Sequence, residues 1–191
     1  MKLIVAQGNP GPEYANTRHN AGWLVLDRFI SDSNGSFRAM PKCKADIAEL
    51  TIAGEKVLCA KPTTYYNQTG ESAQAIANFY KIPPEDTLII HDELALDFGT
   101  IRTRLGGSDA GNKGIKSITA HLGPHTARLR IGINRERPAE MDNADFVLSR
   151  LSLEELKMLD NLASKIADNI RNFIAGNFET TTHRETRPSA E

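Results

Sequence analysis

The sequence lacks several features that would each identify a class of protein. Its 191 residues include only two cysteines, Cys43 and Cys59, whose spacing matches neither a CxxC pair nor a His-flanked zinc site. No run approaches the roughly 18 apolar residues of a membrane span. Lys plus Arg number 23 and Asp plus Glu number 24, and the formal net charge of −1 gives no sign of a strongly polyanionic partner. These absences disfavour a disulfide scaffold, a zinc domain and a membrane protein.

The composition is that of an ordinary globular protein, with 40% apolar and 25% charged residues. A length of 191 residues favours one domain. The chain becomes polar near Asn177, so we predict a globular domain over residues 1–176 and a polar, flexible tail over residues 177–191. The N-terminus enters an apolar strand too short for a signal peptide, and Cys59 lies in an apolar run as a small core residue. Both features favour the reducing cytoplasm.

Apolar patterning predicts strands that alternate with helices. The predicted strands cover residues 3–6, 46–52, 56–60, 87–91, 100–104 and 128–133. The predicted helices cover residues 21–31, 72–80 and 114–122, and a long helix opens at Ser152 with a Glu155 capping box and has an apolar stripe that reaches Ile166. This alternation predicts a single α/β domain with a twisted, mixed, mostly parallel sheet flanked by helices.

Charge is distributed unevenly along the chain. Residues 1–99 carry −3, residues 100–137 carry +6 and residues 138–191 carry −4. A basic segment in a neutral protein suits a phosphate-bearing ligand that is gripped at one place. A solvated face with scattered counter-charges is the alternative, and the count alone leaves both open.

Two loops at the carboxyl ends of predicted strands hold the titratable candidates, since sites in open α/β sheets lie at those ends. His19 lies in the loop after the first strand, and Asp92 follows the strand at residues 87–91. A carboxylate can fix an imidazole tautomer and support the imidazolium that forms. Without a Ser or Cys nucleophile apparent in these loops, such a dyad would activate water. A capping or surface role for His19, and a turn role for Asp92, remain the alternatives.

A glycine-rich stretch covers residues 105–114, between a predicted strand and a predicted helix. Backbone N–H groups at the helix start could hold an anion there. The stretch is neither GxGxxG after the first strand nor GxxxxGK[ST], so dinucleotide and Walker interpretations are weak. A flexible loop is the alternative.

Together these segments resemble bacterial-type peptidyl-tRNA hydrolases over about residues 1–175. The first block reads Gly8-Asn9-Pro10-Gly11-x-x-Tyr14-x-x-Thr17-Arg18-His19-Asn20-x-Gly22, and the second reads Lys61-Pro62-x-Thr64-Tyr65-x-Asn67-x-x-Gly70. The third is His91-Asp92-Glu93-Leu94, and the fourth runs from Gly106-Gly107 to Gly114-Ile115-Lys116-Ser117-Ile118. Residues 128–133 and 144–148 also fit. The order and length of these blocks make chance similarity very improbable.

The resemblance implies an enzyme that cleaves the ester between a peptide and the 3′-terminal ribose of tRNA, and so recycles peptidyl-tRNA released early from ribosomes. It implies that His19 is the base for the attacking water and Asp92 its partner. It further implies a monomeric, cytoplasmic enzyme with no metal, no cofactor and no membrane association. The remaining implied contacts are Asn9 and Asn67 at the peptide and carbonyl site, Tyr14 as a wall on the acceptor side, and Arg104 and Arg130 on the terminal phosphate of the acceptor stem.

The sequence departs from the family pattern at two places. Tyr66 stands where the family usually has Met, which predicts an altered pocket floor. Asn112-Lys113 stands where the family usually reads His-Asn, so Asn112 is expected to replace the familiar amide by a one-residue shift. Lys113 is expected to contact either tRNA phosphate or an oxyanion, and the sequence does not decide between them. We therefore expect Tyr66, Asn112 and Lys113 to contact substrate.

Two other functions remain open at this point. An RNA-binding homologue that has lost catalysis would fit the departures, although such a protein has no use for a base and its carboxylate together. An enzyme that uses the glycine-rich loops for a dinucleotide is the second alternative.

Overall fold

The computed structural model describes residues 1–185, which form one mixed sheet between helical layers. The strands are β1 (Lys2–Ala6), β2 (Arg38–Met40), β3 (Ala45–Ile52), β4 (Glu55–Pro62), β5 (Thr87–Asp97), β6 (Thr100–Leu105), β7 (Ala127–Asn134) and β8 (Thr182–Arg184). The helices are α1 (Ala21–Asp32), α2 (Thr69–Tyr80), α3 (Lys113–Leu122), α4 (Asn143–Leu148), α5 (Leu153–Asn161) and α6 (Ala163–Ile174). No helix among these residues has the length and apolar character needed to cross a bilayer.

The sheet has the order β2-β3-β4-β1-β5-β7-β6-β8. The four central strands, β4, β1, β5 and β7, pair in parallel, and the outer strands pair antiparallel. The predicted mixed α/β sheet is confirmed, with its parallel pairing concentrated at the centre. The parallel strands direct their carboxyl ends to one edge, which is where ligand sites form in such sheets.

Two hydrophobic cores lie on opposite faces of this sheet because the central strands are apolar on both faces. In β1, Ile4 and Ala6 pack with α1, α5 and α6, whereas Leu3 and Val5 pack with α2 and α3. Cys59 is completely buried, as predicted, and burial raises the pKa of its thiol to about 12. The molecule is therefore layered helix–sheet–helix, and the catalytic candidates lie at the sheet's edge.

The fifth strand is longer than predicted. We expected it to end at His91, with Asp92 in a loop, but β5 continues to Asp97 and pairs with β7 through Glu93 and Gly132. Asp92 and Glu93 are both buried. Acidic residues normally interrupt a buried strand, but here tertiary partners satisfy both carboxylates, so the ladder continues past them.

The predicted single long helix in the last third of the chain was wrong. The long helix is divided at Leu162, where α5 ends and α6 begins, and Leu162 itself is fully buried. Its position lets α6 turn and pack on α1 while the apolar side chain stays in the core. The predicted capping box of Ser152 and Glu155 is present at the start of α5.

The expected frayed tail is partly ordered as an edge strand. β8 pairs antiparallel with β6, and the Arg102 Nε donates to the Thr182 Oγ1 at 3.0 Å. The Thr103 Oγ1 donates to the Glu179 carbonyl at 2.5 Å. Polar residues of the tail thus form hydrogen bonds with the edge strand β6. Hydrophobic periodicity does not predict such a pairing. Residues 186–191 of the predicted tail lie outside the described residues, and the boundary at residue 176 stays a prediction.

Candidate active site

A cleft of about 500 Å³ opens beyond the carboxyl end of β1 and beside residues 92–94 of β5. Eight of the predicted site residues line it: Asn9, Tyr14, His19, Tyr66, Asn67, Asp92, Asn112 and Lys113. They come from four separate segments of the chain, which the sheet brings to one edge. The sequence therefore located the cleft, while the role of each side chain remains a prediction. Within residues 1–185, no group of three His, Cys, Asp or Glu side chains is arranged to hold a metal ion.

The centre of the cleft is an imidazole–carboxylate pair. His19 lies on a short 3-10 turn, Arg18–Asn20, just before α1, and its Nδ1 is 3.0 Å from the Asp92 Oδ2. Asp92 is 2% exposed. A carboxylate can only accept hydrogen bonds, so an ionised Asp92 requires the proton on Nδ1 and leaves Nε2 as the basic nitrogen. This is the protonation state that a general base needs.

The residues that flank His19 anchor its turn on both sides. The Arg18 guanidinium donates to both oxygens of buried Glu155, at 2.7 and 3.1 Å. The Asn20 Oδ1 accepts from the Asn9 backbone N–H at 2.9 Å, and the Asn20 Nδ2 donates back to the Asn9 carbonyl at 3.0 Å. The dense polar motif around His19 is thus largely structural, and it fixes the loop on which His19 lies.

Tyr66 lies against this pair and is almost fully buried, at 2% exposure. Its ring stacks on the His19 ring with centroids 3.5 Å apart and planes 12° apart. The Tyr66 hydroxyl donates to the Asp92 Oδ1 at 2.5 Å and accepts from the Asn112 Nδ2 at 3.0 Å. Burial, with the nearby Asp92 charge, raises the pKa of the Tyr66 phenol well above its usual range. The phenol therefore remains a protonated donor.

Asn9 presents one end of its amide to the protein and the other to the cleft. Its Oδ1 accepts from the Tyr66 backbone N–H at 2.8 Å. Within residues 1–185 the Nδ2 has no protein partner, so it is a donor available to a ligand. Asn67 and Lys113 are exposed on the rim. Asn112 caps α3, with its Oδ1 accepting from the Ile115 N–H at 3.0 Å.

Four arginines of the basic segment share one face of the outer sheet. Arg102 lies opposite Arg130 and Arg104 lies opposite Arg128 in the antiparallel β6–β7 ladder, so all four point to the same side. Burial and the neighbouring charges of Arg130 and Arg104 lower the pKa of Arg128. The four arginines therefore concentrate positive charge on one face of the sheet.

The two predicted phosphate-binding arginines differ in their surroundings. The Arg130 guanidinium donates to the Glu93 Oε2 at 2.7 and 3.0 Å, and the same Glu93 lines the cleft. Arg104 is exposed and has no carboxylate partner within the described residues. Neither arginine lines the cleft itself, but Glu93 links Arg130 to it.

One wall of the cleft was missed by sequence reasoning. It is formed by α4, whose cleft-lining residues are Asn143, Ala144, Val147 and Leu148. The signal was available in Asp142, whose side chain accepts from the Asp145 N–H at 2.8 Å as a helix N-cap. Tyr65 and Glu93 also line the cleft and were not predicted. The α4 wall adds an apolar side to an otherwise polar site.

Comparison with known proteins agrees with this geometry. The family model described as Peptidyl-tRNA hydrolase matches residues 3–190. The chain belongs to the peptidyl-tRNA hydrolase family. It is 43% identical to a Streptomyces avermitilis peptidyl-tRNA hydrolase, over 87% of this chain and 84% of that protein. It is 41% identical to a Halorhodospira halophila peptidyl-tRNA hydrolase, over 94% of this chain and 92% of that protein.

Solved structures of peptidyl-tRNA hydrolases show the same fold. The Acinetobacter baumannii crystal structure at 1.00 Å superposes with a TM-score of 0.85 and 35% identity, covering 92% of this chain and 89% of that one. A peptidyl-tRNA hydrolase crystallised with N-propanol gives a TM-score of 0.86 at the same identity and coverage. The fold and the family expected from the sequence are confirmed, and this family member is a hydrolase.

Proposed function

We propose that this chain hydrolyses the ester bond between a peptide and the 3′-terminal ribose of tRNA, using a water molecule activated by His19. The observation that carries the proposal is the His19–Asp92 pair at the centre of the cleft, with Nδ1 and Oδ2 3.0 Å apart. Nε2 has no protein partner within residues 1–185 and is free to accept a proton from water. Asp92 holds the imidazole in this tautomer and supports the imidazolium that forms as water attacks.

Direct attack by water fits the other residues of the cleft. Its described lining contains no Ser, Thr or Cys that could act as a covalent nucleophile. An ester is easier to hydrolyse than an amide, so one base and oriented donors can suffice. Proton transfer from water to His19 and back to the departing ribose oxygen would complete the reaction without a covalent intermediate.

Asn9 and Asn67 supply the donors expected at the peptide side. Because the Asn9 Oδ1 is already bonded to the Tyr66 N–H, only the Nδ2 can face substrate, where it would donate to a carbonyl or developing oxyanion. Neutral amides can pair with a peptide bond, whereas a free α-ammonium in the same place would lose water without a partner. We therefore expect N-blocked aminoacyl esters to react faster than free aminoacyl esters, and Tyr14 to border the acceptor end.

The arginine face of β6 and β7 is assigned to the tRNA. We infer that Arg104 and Arg130 bind the terminal phosphate of the acceptor stem, with exposed Arg104 contributing more because Glu93 neutralises Arg130. Arg104→Ala should raise KM, leave kcat within about twofold, and lower the salt slope of binding by about one. Loss of kcat alone would contradict the assignment.

Lys113 has two candidate roles on the rim of the cleft. It is exposed at the first residue of α3 and has no carboxylate partner within the described part of the chain. If it binds tRNA phosphate, Lys113→Ala raises KM and flattens the salt dependence. If it stabilises an oxyanion, the loss is in kcat.

The cellular role follows from this reaction. Cleavage would return tRNA from peptidyl-tRNA that leaves the ribosome early. We propose that the enzyme acts as a cytoplasmic monomer without metal or cofactor.

The deciding assay is release of N-acetylated amino acid from its tRNA ester by wild type and His19→Ala. We expect turnover by wild type and a loss of about 10² to 10⁴ in kcat for the variant. Absence of wild-type turnover, with retained tRNA binding, would favour an RNA-binding homologue. Turnover untouched by the substitution would keep the enzyme and remove the proposed base.

A further inference from the structure

The Tyr66 hydroxyl lies in a chain of hydrogen bonds whose direction is fixed at one end. The Asn112 Oδ1 accepts from the Ile115 backbone N–H, at 3.0 Å, so the other end of the amide is the Nδ2 donor. That Nδ2 donates to the Tyr66 oxygen at 3.0 Å. The single phenolic proton is thereby left for the Asp92 Oδ1, 2.5 Å away.

The order of donors and acceptors extends from Tyr66 through the Asp92 carboxylate to the His19 imidazole. Because the Asp92 Oδ1 is occupied by the Tyr66 hydroxyl, the Oδ2 is the oxygen that faces the His19 Nδ1, at 3.0 Å. Two fixed contacts on one carboxylate set its plane. The plane in turn sets the orientation of the ring that accepts the proton from water.

The aromatic ring of Tyr66 adds a second constraint. It covers one face of the His19 ring at a centroid distance of 3.5 Å. The ring is held from behind by α3, since a Cβ placed on Gly114 would come within 2.4 Å of the Tyr66 Cε1. Rotation of the imidazole therefore requires displacement of a buried ring.

We propose that Tyr66 is a positioning residue, which fixes the Asp92 carboxylate through its hydroxyl and holds the His19 ring through stacking. The proposal rests on the proposed function, since it requires His19 to be the base. The two departures from the family pattern, Tyr66 and Asn112, are then parts of one device, because their side chains are bonded to each other. Tyr66 acts on the base through Asp92, and contact with substrate is not needed for its effect.

The first test is Tyr66→Phe, which removes the hydroxyl and keeps the stacked ring. We expect kcat on N-acetyl-aminoacyl-tRNA to fall about tenfold, with KM within about twofold. Tyr80→Phe is the matched control, because its hydroxyl does not line the cleft and lies 3.9 Å from the Met40 Sδ. The control should keep kcat and KM within about twofold of wild type.

The second readout is the acidic limb of the kcat/KM profile against pH. Without the phenol, Asp92 offers all of its hydrogen-bonding capacity as an acceptor to His19 and stabilises the imidazolium, so the acidic limb should move to higher pH. A purely structural role would leave the limb in place. The other titratable groups lining the cleft are Tyr14, Tyr65, Glu93 and Lys113, all unchanged in the variant.

A double-mutant cycle separates action through Asp92 from any other effect. In the Asp92→Asn background, Tyr66→Phe should cost less than about twofold, since the charged acceptor is gone. A tenfold loss that persists there would overturn the proposal, and so would a single variant with wild-type kcat and an unmoved limb. Thermal melting checks that Tyr66→Phe is folded at the assay temperature. If His19→Ala is inactive while Tyr66→Phe behaves as wild type, this proposal fails and the proposed function stands.

Discussion

The Arg18–Glu155 pair offers a prediction whose size follows from the structure. Glu155 is 2% exposed and accepts from both Arg18 nitrogens, at 2.7 and 3.1 Å, and from the Ser152 backbone N–H at 2.8 Å. The Glu155→Gln substitution removes the negative charge. It also replaces one carboxylate oxygen with an amide NH₂ group, which cannot accept a hydrogen bond from Arg18 or Ser152. The Arg18 guanidinium, with only 10% side-chain exposure, is then left without a full counter-charge.

The expected cost is that of breaking a buried ion pair by removing one partner, about 3–5 kcal/mol in the free energy of unfolding. A domain of this length loses about 2–4 °C in Tm per kcal/mol, so Tm should fall by about 6–20 °C. Because Arg18 adjoins His19, kcat should also fall at temperatures where the variant is folded. Removing the charge of the neighbouring, exposed Glu154 should lower neither Tm nor kcat in this way.

The assay compares the thermal and urea-induced unfolding of Glu155→Gln with that of the control variant Glu154→Gln. Glu154 is 69% exposed and 3.7 Å from the Arg135 Nη2, so its substitution should cost less than about 1 kcal/mol. If the two variants melt within about 2 °C of each other, the buried pair does not hold the His19 turn as described. Replacing both partners with apolar residues, Arg18→Met with Glu155→Leu, should recover most of the lost stability.

Three further predictions follow. Burial alone would raise the pKa of Glu155, but hydrogen bonds from Arg18 and Ser152 outweigh burial and lower the pKa below its ordinary value of 4.5. The ionised Glu155 therefore stabilises the folded state fully above pH 4.5, and this stabilisation is lost as the pH falls through the folded-state pKa. The gap in unfolding free energy between wild type and Glu155→Gln should accordingly narrow in urea titrations at acid pH, and a gap independent of pH would contradict this. Gly114→Ala should lower Tm and kcat together, at a cost of about 1–3 kcal/mol, because its Cβ would meet a buried ring; a wild-type melting curve would refute that contact. Cys43 and Cys59 are both buried, so neither should react with a thiol reagent in native protein at pH 8, and both should react in guanidinium; prompt native labelling would refute their burial.

Much of the fold was predictable because local patterns record burial. The apolar run of β1, the stripe of α1 and the Ser152 capping box each depend on neighbours within one or two turns of chain. The α/β class and most element positions followed from these patterns. The sequence motifs likewise predicted that His19 and Asp92 form a pair, and their side chains are 3.0 Å apart.

The extent of several elements depended on distant partners. β5 continues past His91 because the buried carboxylates of Asp92 and Glu93 find partners in other segments. β8 exists because an open edge of β6 accepts it. Neither partner is adjacent in sequence, so periodicity predicted too early an end for β5 and did not predict the pairing of β8.

The sequence by itself determined the α/β architecture, the location of the cleft and the identity of eight of the residues that line it. Only the tertiary structure decided what each polar group bonds to. Tyr66 lies 26 residues from Asp92 and 46 from Asn112, and their hydrogen bonds connect this unexpected side chain to the carboxylate that faces His19. Arg130 is paired with Glu93 while Arg104 is left exposed. Hydrogen bonds and ion pairs act over about 3 Å in space, so their partners are chosen by packing rather than by spacing along the chain.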